Sequence, residues 1–169
     1  MKVWDRREGA NVAGLIRAGD QFPDFNLPNE NGAAMRRADF AGQWLVVFVY
    51  PKDDTPGCTV ESKGFSTTKL DFEAIGAQVV GLSADDPASH KSFCGKHGLT
   101  VTLLADPSGT LLGALGVGQT EHGGTPYWDR TTFVVDPGGV VRKVYTNVKP
   151  QEHEREVLAD LKRLQAGAA

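Results

Sequence analysis

The longest apolar run in the chain, Trp44-Leu-Val-Val-Phe-Val-Tyr50, has no polar alternation and is ended by Pro51, the pattern of a strand buried on both faces. From Pro56 to about Ile75, the residues Phe65, Phe72 and Ile75 recur at helical spacing among Lys63, Lys69, Asp71 and Glu73, which predicts an amphipathic helix. Gln78-Val-Val-Gly-Leu-Ser83 reads as a second apolar strand, and the order strand, helix, strand predicts a right-handed crossover with parallel pairing. Asp85 or Asp86 can cap a short helix that accepts Pro87 in its first turn and runs to about His97, weakened by Gly95 and Gly98. Thr131 to Asp136 and Val140 to Tyr145 flank Pro137-Gly-Gly and read as a β-hairpin. Between Pro150 and about Gln165, Val157, Leu158, Leu161 and Leu164 share one helical face.

A parallel βαβ half, an antiparallel hairpin and a closing helix together predict an α/β chain with a thioredoxin-like fold, a central mixed β-sheet flanked by helices. Residues 1–18 show no sustained period and are expected to form an irregular leader, with one domain over residues 19–166. The 169 residues include 18 Lys or Arg and 21 Asp or Glu, a net charge of −3 that offers phosphate no surplus of positive field, so no nucleic-acid partner is expected. The longest apolar run is far short of the ~20 residues a bilayer requires, so no membrane association is expected. The N-terminus carries charge where a secretory signal would have its apolar core, and cytoplasmic residence is the expectation. Cys58 and Cys94 are too few for a disulfide scaffold, which makes their chemistry the question.

Cys58 falls in Tyr50-Pro-Lys-Asp-Asp-Thr-Pro-Gly-Cys-Thr-Val-Glu61, between a buried strand and a helix start. Unpaired amides and the positive end of the helix dipole at a first turn favour thiolate, so the Cys58 pKa is expected to fall. A fall from ~8.5 to ~6 would raise the thiolate fraction at pH 7 about thirtyfold. Intrinsic nucleophilicity drops on the order of tenfold over the same shift, leaving only a few-fold gain. A fast thiol enzyme therefore needs donors around the sulfur. Thr55 could aim its hydroxyl there, or serve as N-cap with Pro56 at the first helical position, and both roles can coexist. Asp53, Asp54 and Glu61 oppose a thiolate, so a cation must approach from elsewhere, with Lys52 and Arg130 as candidates.

The spacing P-x-x-x-T-x-x-C, formed by Pro51, Thr55 and Cys58, resembles the active-site signature of peroxiredoxins, and the whole segment is similar to their peroxiredoxin Q or bacterioferritin comigratory protein branch. The likeness runs from Gly19 through Asp129-Arg-Thr-Thr-Phe-Val-Val-Asp136 to about residue 160, with Arg130 at the family's arginine position. The resemblance implies a thioredoxin-fold peroxidase that reduces hydrogen peroxide and organic hydroperoxides. Cys58 would be the peroxidatic cysteine and pass through sulfenic acid. Arg130 would stabilise the thiolate and the developing charge, Thr55 would bond the sulfur or a peroxide oxygen, Pro51 would wall the pocket from water, and Glu61 would orient Arg130. Many members of the branch carry the second cysteine five residues after the first, where this chain has Lys63. Another subset places it on the next helix, so Cys94, at 94 − 58 = 36 residues, would be the resolving cysteine of an intramolecular disulfide recycled by thioredoxin or a similar dithiol. No haem, flavin or metal cofactor is implied, and a monomer or weak dimer is expected.

Other readings remain open at this point. Cys94 could be a small buried helix residue. His90 and His97 flank Cys94 and could build a zinc site with Cys58, although no C-x-x-C or H-E-x-x-H spacing is present. A thiol-disulfide oxidoreductase of thioredoxin type would need the missing C-x-x-C, and a non-catalytic thioredoxin-fold binding module predicts no sulfenic acid at Cys58. Gln119 to Trp128 reads as a loop at the active-site rim, where Tyr127 and Trp128 could line a docking surface. Gly113, Gly116 and Gly118 match no dinucleotide fingerprint.

Overall fold

The computed structural model describes residues 14–167. A small hairpin, β1 (Asn26–Pro28) and β2 (Ala34–Arg36), precedes the buried strand β3 (Trp44–Val49). Then come α1 (Pro56–Thr67), α2 (Lys69–Ala74), β4 (Ala77–Ser83), α3 (Pro87–His97), β5 (Thr102–Ala105) and α4 (Thr110–Leu115). A second small hairpin, β6 (Gln119–His122) and β7 (Thr125–Trp128), leads into β8 (Thr131–Val135), β9 (Val141–Tyr145) and α5 (His153–Ala166). The central sheet has the order β5-β4-β3-β8-β9, with β3, β4 and β5 parallel and β8 and β9 antiparallel to their neighbours.

Every residue of β3 is buried because the sheet is covered twice. Val46 and Phe48 face α1, α2, α3 and α5 through Phe65, Phe72, Phe93 and Leu161. Leu45, Val47 and Val49 face α4 and the incoming N-terminal segment through Leu111, Leu112, Leu115 and Phe22. The mixed sheet, the parallel β3–β4 pair, the capped α3 and the β8–β9 hairpin follow the sequence pattern.

Four readings change. The expected single helix over 56–75 breaks at Thr68, whose backbone leaves helical geometry at φ −95° and ψ 4°. The hydroxyls of Thr67 and Thr68 donate back to the carbonyls of Lys63 and Gly64, the local competition with which Ser and Thr bend helices. Gln119 to Trp128 is a hairpin, not a loop, turned by Gly123 and Gly124 at positive φ. Strand β5 and helix α4 escaped periodicity because they are four and six residues long; β5 stands before the glycines at 113–118, two of which close α4 and its exit. Of the expected irregular leader, residues 14–18 have no regular element, yet Leu15 and Ile16 pack on the α4 side of the core and Ile16 donates its amide to Leu115. Residues 1–13 of that leader lie outside the described residues.

Phe65 ties α1 to the sheet, stacking on Phe48 with ring centroids 4.6 Å apart and touching Phe72 at 6.0 Å. Phe65→Ala is expected to cost about 3–5 kcal/mol of unfolding free energy, the range for emptying a fully buried aromatic site. Urea denaturation of the purified variant measures it, and a loss below about 1 kcal/mol would contradict the packing described.

Candidate active site

Strand β3 ends at Val49 and the chain passes through Tyr50 to Thr55 before α1 starts at Pro56, so Cys58 is the third residue of that helix. Its side chain is wholly buried and its thiol is free. Antiparallel pairing sets Val49 opposite Thr131, which carries Arg130 to the mouth of the same loop. The Arg130 Nη1 donates to Glu61 Oε1 at 2.9 Å. Its other nitrogen lies over Gly57: a Cβ there would sit 2.8 Å from Arg130 Nη2, so a glycine at 57 is what admits the guanidinium to the start of α1.

Burial is the largest influence on Cys58 and pushes its thiol up, against the pull of the Arg130 charge and of hydrogen bonds from Thr55, the Lys52 backbone and Arg130. The expected fall is therefore overturned, since a helix N-terminus gains less for a thiolate than complete removal from water costs it. The same three groups identify what converges on the sulfur. Thr55 occupies the N-cap position but its hydroxyl makes no capping bond; it donates to the Lys52 carbonyl at 2.9 Å and so sits beside the sulfur. Of the two candidate cations, Arg130 reaches the site, while Lys52 is exposed and contributes its backbone.

Glu61 lies one turn beyond Cys58 and is buried, with Oε2 lacking any hydrogen-bond partner. Burial pushes its carboxyl up to about 7, opposed by the charge and hydrogen bond of Arg130 and reinforced by Glu154. Glu154 in turn lies against Gly64, where a Cβ would collide with its carboxylate. Pro51 is half-buried and lines a pocket of about 210 Å³ with Lys52, Ala84, Asp85 and Pro126, Tyr127 and Trp128 of β7; Cys58, Thr55 and Arg130 do not line it.

The two aspartates are turned away from the sulfur. Asp53 is buried and accepts from the Tyr50 hydroxyl at 2.7 Å, the Ser89 hydroxyl at 2.8 Å and His90 Nδ1 at 2.7 Å. The other ring nitrogen of His90 faces the Leu104 carbonyl at 2.9 Å, which can only accept, so the ring is placed to donate on both sides. Burial alone would lower its pKa; the hydrogen bond and charge of Asp53 outweigh burial and raise it. Asp54 accepts from Lys96 Nζ at 2.8 Å and His97 Nε2 at 2.7 Å, which hold its carboxyl below the usual range. His90 is fully buried, and nothing in the sequence period revealed it. A hint was available in Tyr50, whose hydroxyl needs a partner once its ring ends an apolar run.

Both histidines are thus committed to aspartates, and they do not join the cysteines as zinc ligands. Asp53, Asp85 and His90 do come together as three possible ligands, but the His90 nitrogens are both spent on hydrogen bonds. Cys94 lies in α3, half-buried against the core that holds Cys58, and is not bonded to it. Burial, with the charges of Glu30 and Asp53, pushes its thiol up to about 11.

The chain is 38% identical over 154 residues to "Peroxiredoxin Q, chloroplastic" of Oryza sativa subsp. japonica, covering 90% of this chain and 70% of that one. It is 37% identical over 149 residues to "Putative peroxiredoxin bcp" of Coxiella burnetii, covering 86% and 99%. A solved PrxQ variant of Xylella fastidiosa superposes with a TM-score of 0.84 at 32% identity, over 89% of this chain and 98% of that one. The bacterioferritin comigratory protein of Xanthomonas campestris, described for its alkyl peroxide reduction activity, gives 0.78 at 32% identity, over 88% and 96%. The AhpC/TSA family description matches residues 18–144, most of the folded body and every residue gathered around Cys58, and the chain belongs to that family.

Proposed function

We propose that this chain is a thiol-dependent peroxidase of the peroxiredoxin Q kind in which Cys58 attacks peroxide, Cys94 resolves the product, and a thioredoxin-type dithiol restores both thiols. The observation that carries the reading is the convergence of the Arg130 guanidinium and the Thr55 hydroxyl on a sulfur at the start of α1, with Arg130 held from behind by buried Glu61.

The terminal peroxide oxygen forms the new S–O bond as the O–O bond breaks, and the thiol's proton ends on the departing oxygen, so Cys58–SH and ROOH give Cys58–SOH and ROH. The cation and hydroxyl stabilise charge on sulfur and on the leaving oxygen in a site closed to water, where such contacts are strongest. The thiol of Cys94 then condenses with the sulfenic acid, forming an S–S bond and releasing water. Solved cysteine-to-serine variants of the Xanthomonas campestris peroxiredoxin Q concern two cysteines with the same separation as Cys58 and Cys94, which supports this pairing. Thiol exchange with an external dithiol closes the cycle. The alkyl peroxide reduction ascribed to the relative from the same species supports an organic hydroperoxide as substrate as well as hydrogen peroxide. The machinery lies within one chain, so a monomer or weak dimer suffices. Among the described residues no helix is long and apolar enough to cross a membrane.

Two experiments test the reading. Peptide mass spectrometry after one equivalent of peroxide is expected to find a disulfide linking 58 to 94. Cys58→Ser is expected to abolish peroxide turnover, and Cys94→Ser to allow one oxidation and then stall with thioredoxin; undiminished turnover of either variant would refute its assigned role. The second concerns the cation. Removing an adjacent positive charge shifts an acid by about 1–3 pKa units towards its neutral form. Arg130→Met is therefore expected to raise the Cys58 pKa further and, after the partly compensating gain in intrinsic nucleophilicity, to slow peroxide-dependent thiol loss at pH 7 by about 3- to 50-fold. Gly57→Ala, which leaves every charge in place but intrudes on the guanidinium, is expected to slow the same step. Ultraviolet titration of the thiolate and stopped-flow thiol loss measure both, and an unshifted titration in Arg130→Met would sink the assignment.

A further inference from the structure

Asp53 and Asp54 are adjacent in the loop before Cys58, and both reach α3, the helix that carries Cys94. They grip it at opposite ends and in different media. Asp53 takes fully buried His90 and part-buried Ser89 in the first half of α3. Asp54 takes Lys96 and His97 in the last turn, with side chains 42%, 63% and 18% exposed. The second grip is made by a residue in left-handed backbone geometry, φ 60°, which a residue other than glycine adopts at a cost. Across the ring edge His97 meets the buried Phe93 at 5.4 Å, so the ion pairs at Asp54 also seat the apolar plug at the end of α3.

The turn so held is intrinsically weak. Gly95 lies inside it, Gly98 closes it at φ 64°, and the Cys94 carbonyl accepts the closing amides of both Gly98 and Leu99. Cys58 is fully buried and Cys94 half-buried on a different helix, and any Cα separation beyond ~7 Å has to be closed by backbone movement before a disulfide forms.

We propose that Asp54 is a positioning residue for the disulfide-forming step: its ion pairs to Lys96 and His97 latch the last turn of α3, and their release lets the Cys94 turn open towards Cys58 while Asp53 and His90 hold the start of the helix. The proposal rests on the reading of Cys94 as the resolving cysteine. Its chemical consequence is a partition. Cys58–SOH either condenses with Cys94–SH to give the disulfide and water, or meets a second ROOH and gives Cys58–SO₂H and ROH. A tighter latch lengthens the sulfenic lifetime and favours the sulfinic acid.

The test measures that partition, which begins after the first oxidation and is independent of its rate. Parent, Asp54→Asn, and Lys96→Ala with His97→Ala are treated with a peroxide series, and disulfide and sulfinic peptides are quantified by mass spectrometry. Asn tolerates left-handed geometry, so Asp54→Asn removes charge without adding strain. Both variants are expected to need about two- to fivefold more peroxide for half-conversion to sulfinic acid, as fits the loss of part-exposed ion pairs. Raising salt is expected to move the parent in the same direction and the variants much less, a response that a purely structural role would not give. An unchanged or lowered peroxide requirement in both variants would overturn the latch. Absence of any Cys58–Cys94 disulfide in the parent would instead overturn the reading of Cys94.

Discussion

A sulfur that must become an anion is buried away from water, and among the described residues the one formal positive charge that approaches it to compensate is the guanidinium of Arg130. That contact depends on register. Because Val49 pairs with Thr131, the residue before β8 emerges beside the loop after β3, and a slip of one residue would point Arg130 to the opposite face of the sheet. It depends next on Gly57, whose missing Cβ leaves room for Nη2, and on Glu61, which fixes Nη1 from the next turn of the same helix. Sheet pairing, a bare helix position and a buried carboxylate therefore act on one side chain.

The acidic residues around Cys58 sort themselves by partner. Asp53 is hydrogen-bonded to His90 and Asp54 to Lys96 and His97, and neither is among the causes that move the Cys58 thiol. Glu61 does stay close, and its cost is visible in an unpartnered Oε2 and a carboxyl pushed up to about 7. Near neutral pH this carboxyl is part-protonated. Its charged form grips Arg130, and its neutral form leaves more of the guanidinium's field to the sulfur. The buried pair thus trades positioning against field strength, and neither extreme serves the thiolate best.

What the sequence disclosed follows from which interactions are local. The all-apolar run 44–50, the Pro87 helix start with its aspartate cap and the Pro-Gly-Gly hairpin are written in short stretches, and each stands where the pattern put it. The motif through Pro51, Thr55 and Cys58 pointed to the candidate site, and the resemblance singled out Arg130 from the two candidate cations, since its approach is a matter of strand pairing across some seventy residues. The break at Thr68 was hidden because Phe65 and Phe72 keep a helical period across it. The Cys58 pKa went the other way because first-turn position is local while burial is conferred by Phe48, Phe65 and the covering helices. His90 was illegible for the same reason: its partners come from the β3 loop and from β5.

In the proposed cycle, the environments of the two cysteines also decide the order in which they react. Cys94 is no nearer to neutrality than about 11, with Glu30 and Asp53 adding negative charge, and no guanidinium is among the groups that move its thiol. Against a dilute peroxide such a thiol is almost wholly protonated and slow. Against a sulfenic acid on its own chain it enjoys an effective concentration that no free peroxide can match, once the helices approach. The asymmetry therefore makes a thiol that is poor in open competition the preferred partner for one electrophile, the oxidised Cys58. The features that dull Cys94 towards peroxide are what keep it reduced and available when that electrophile forms.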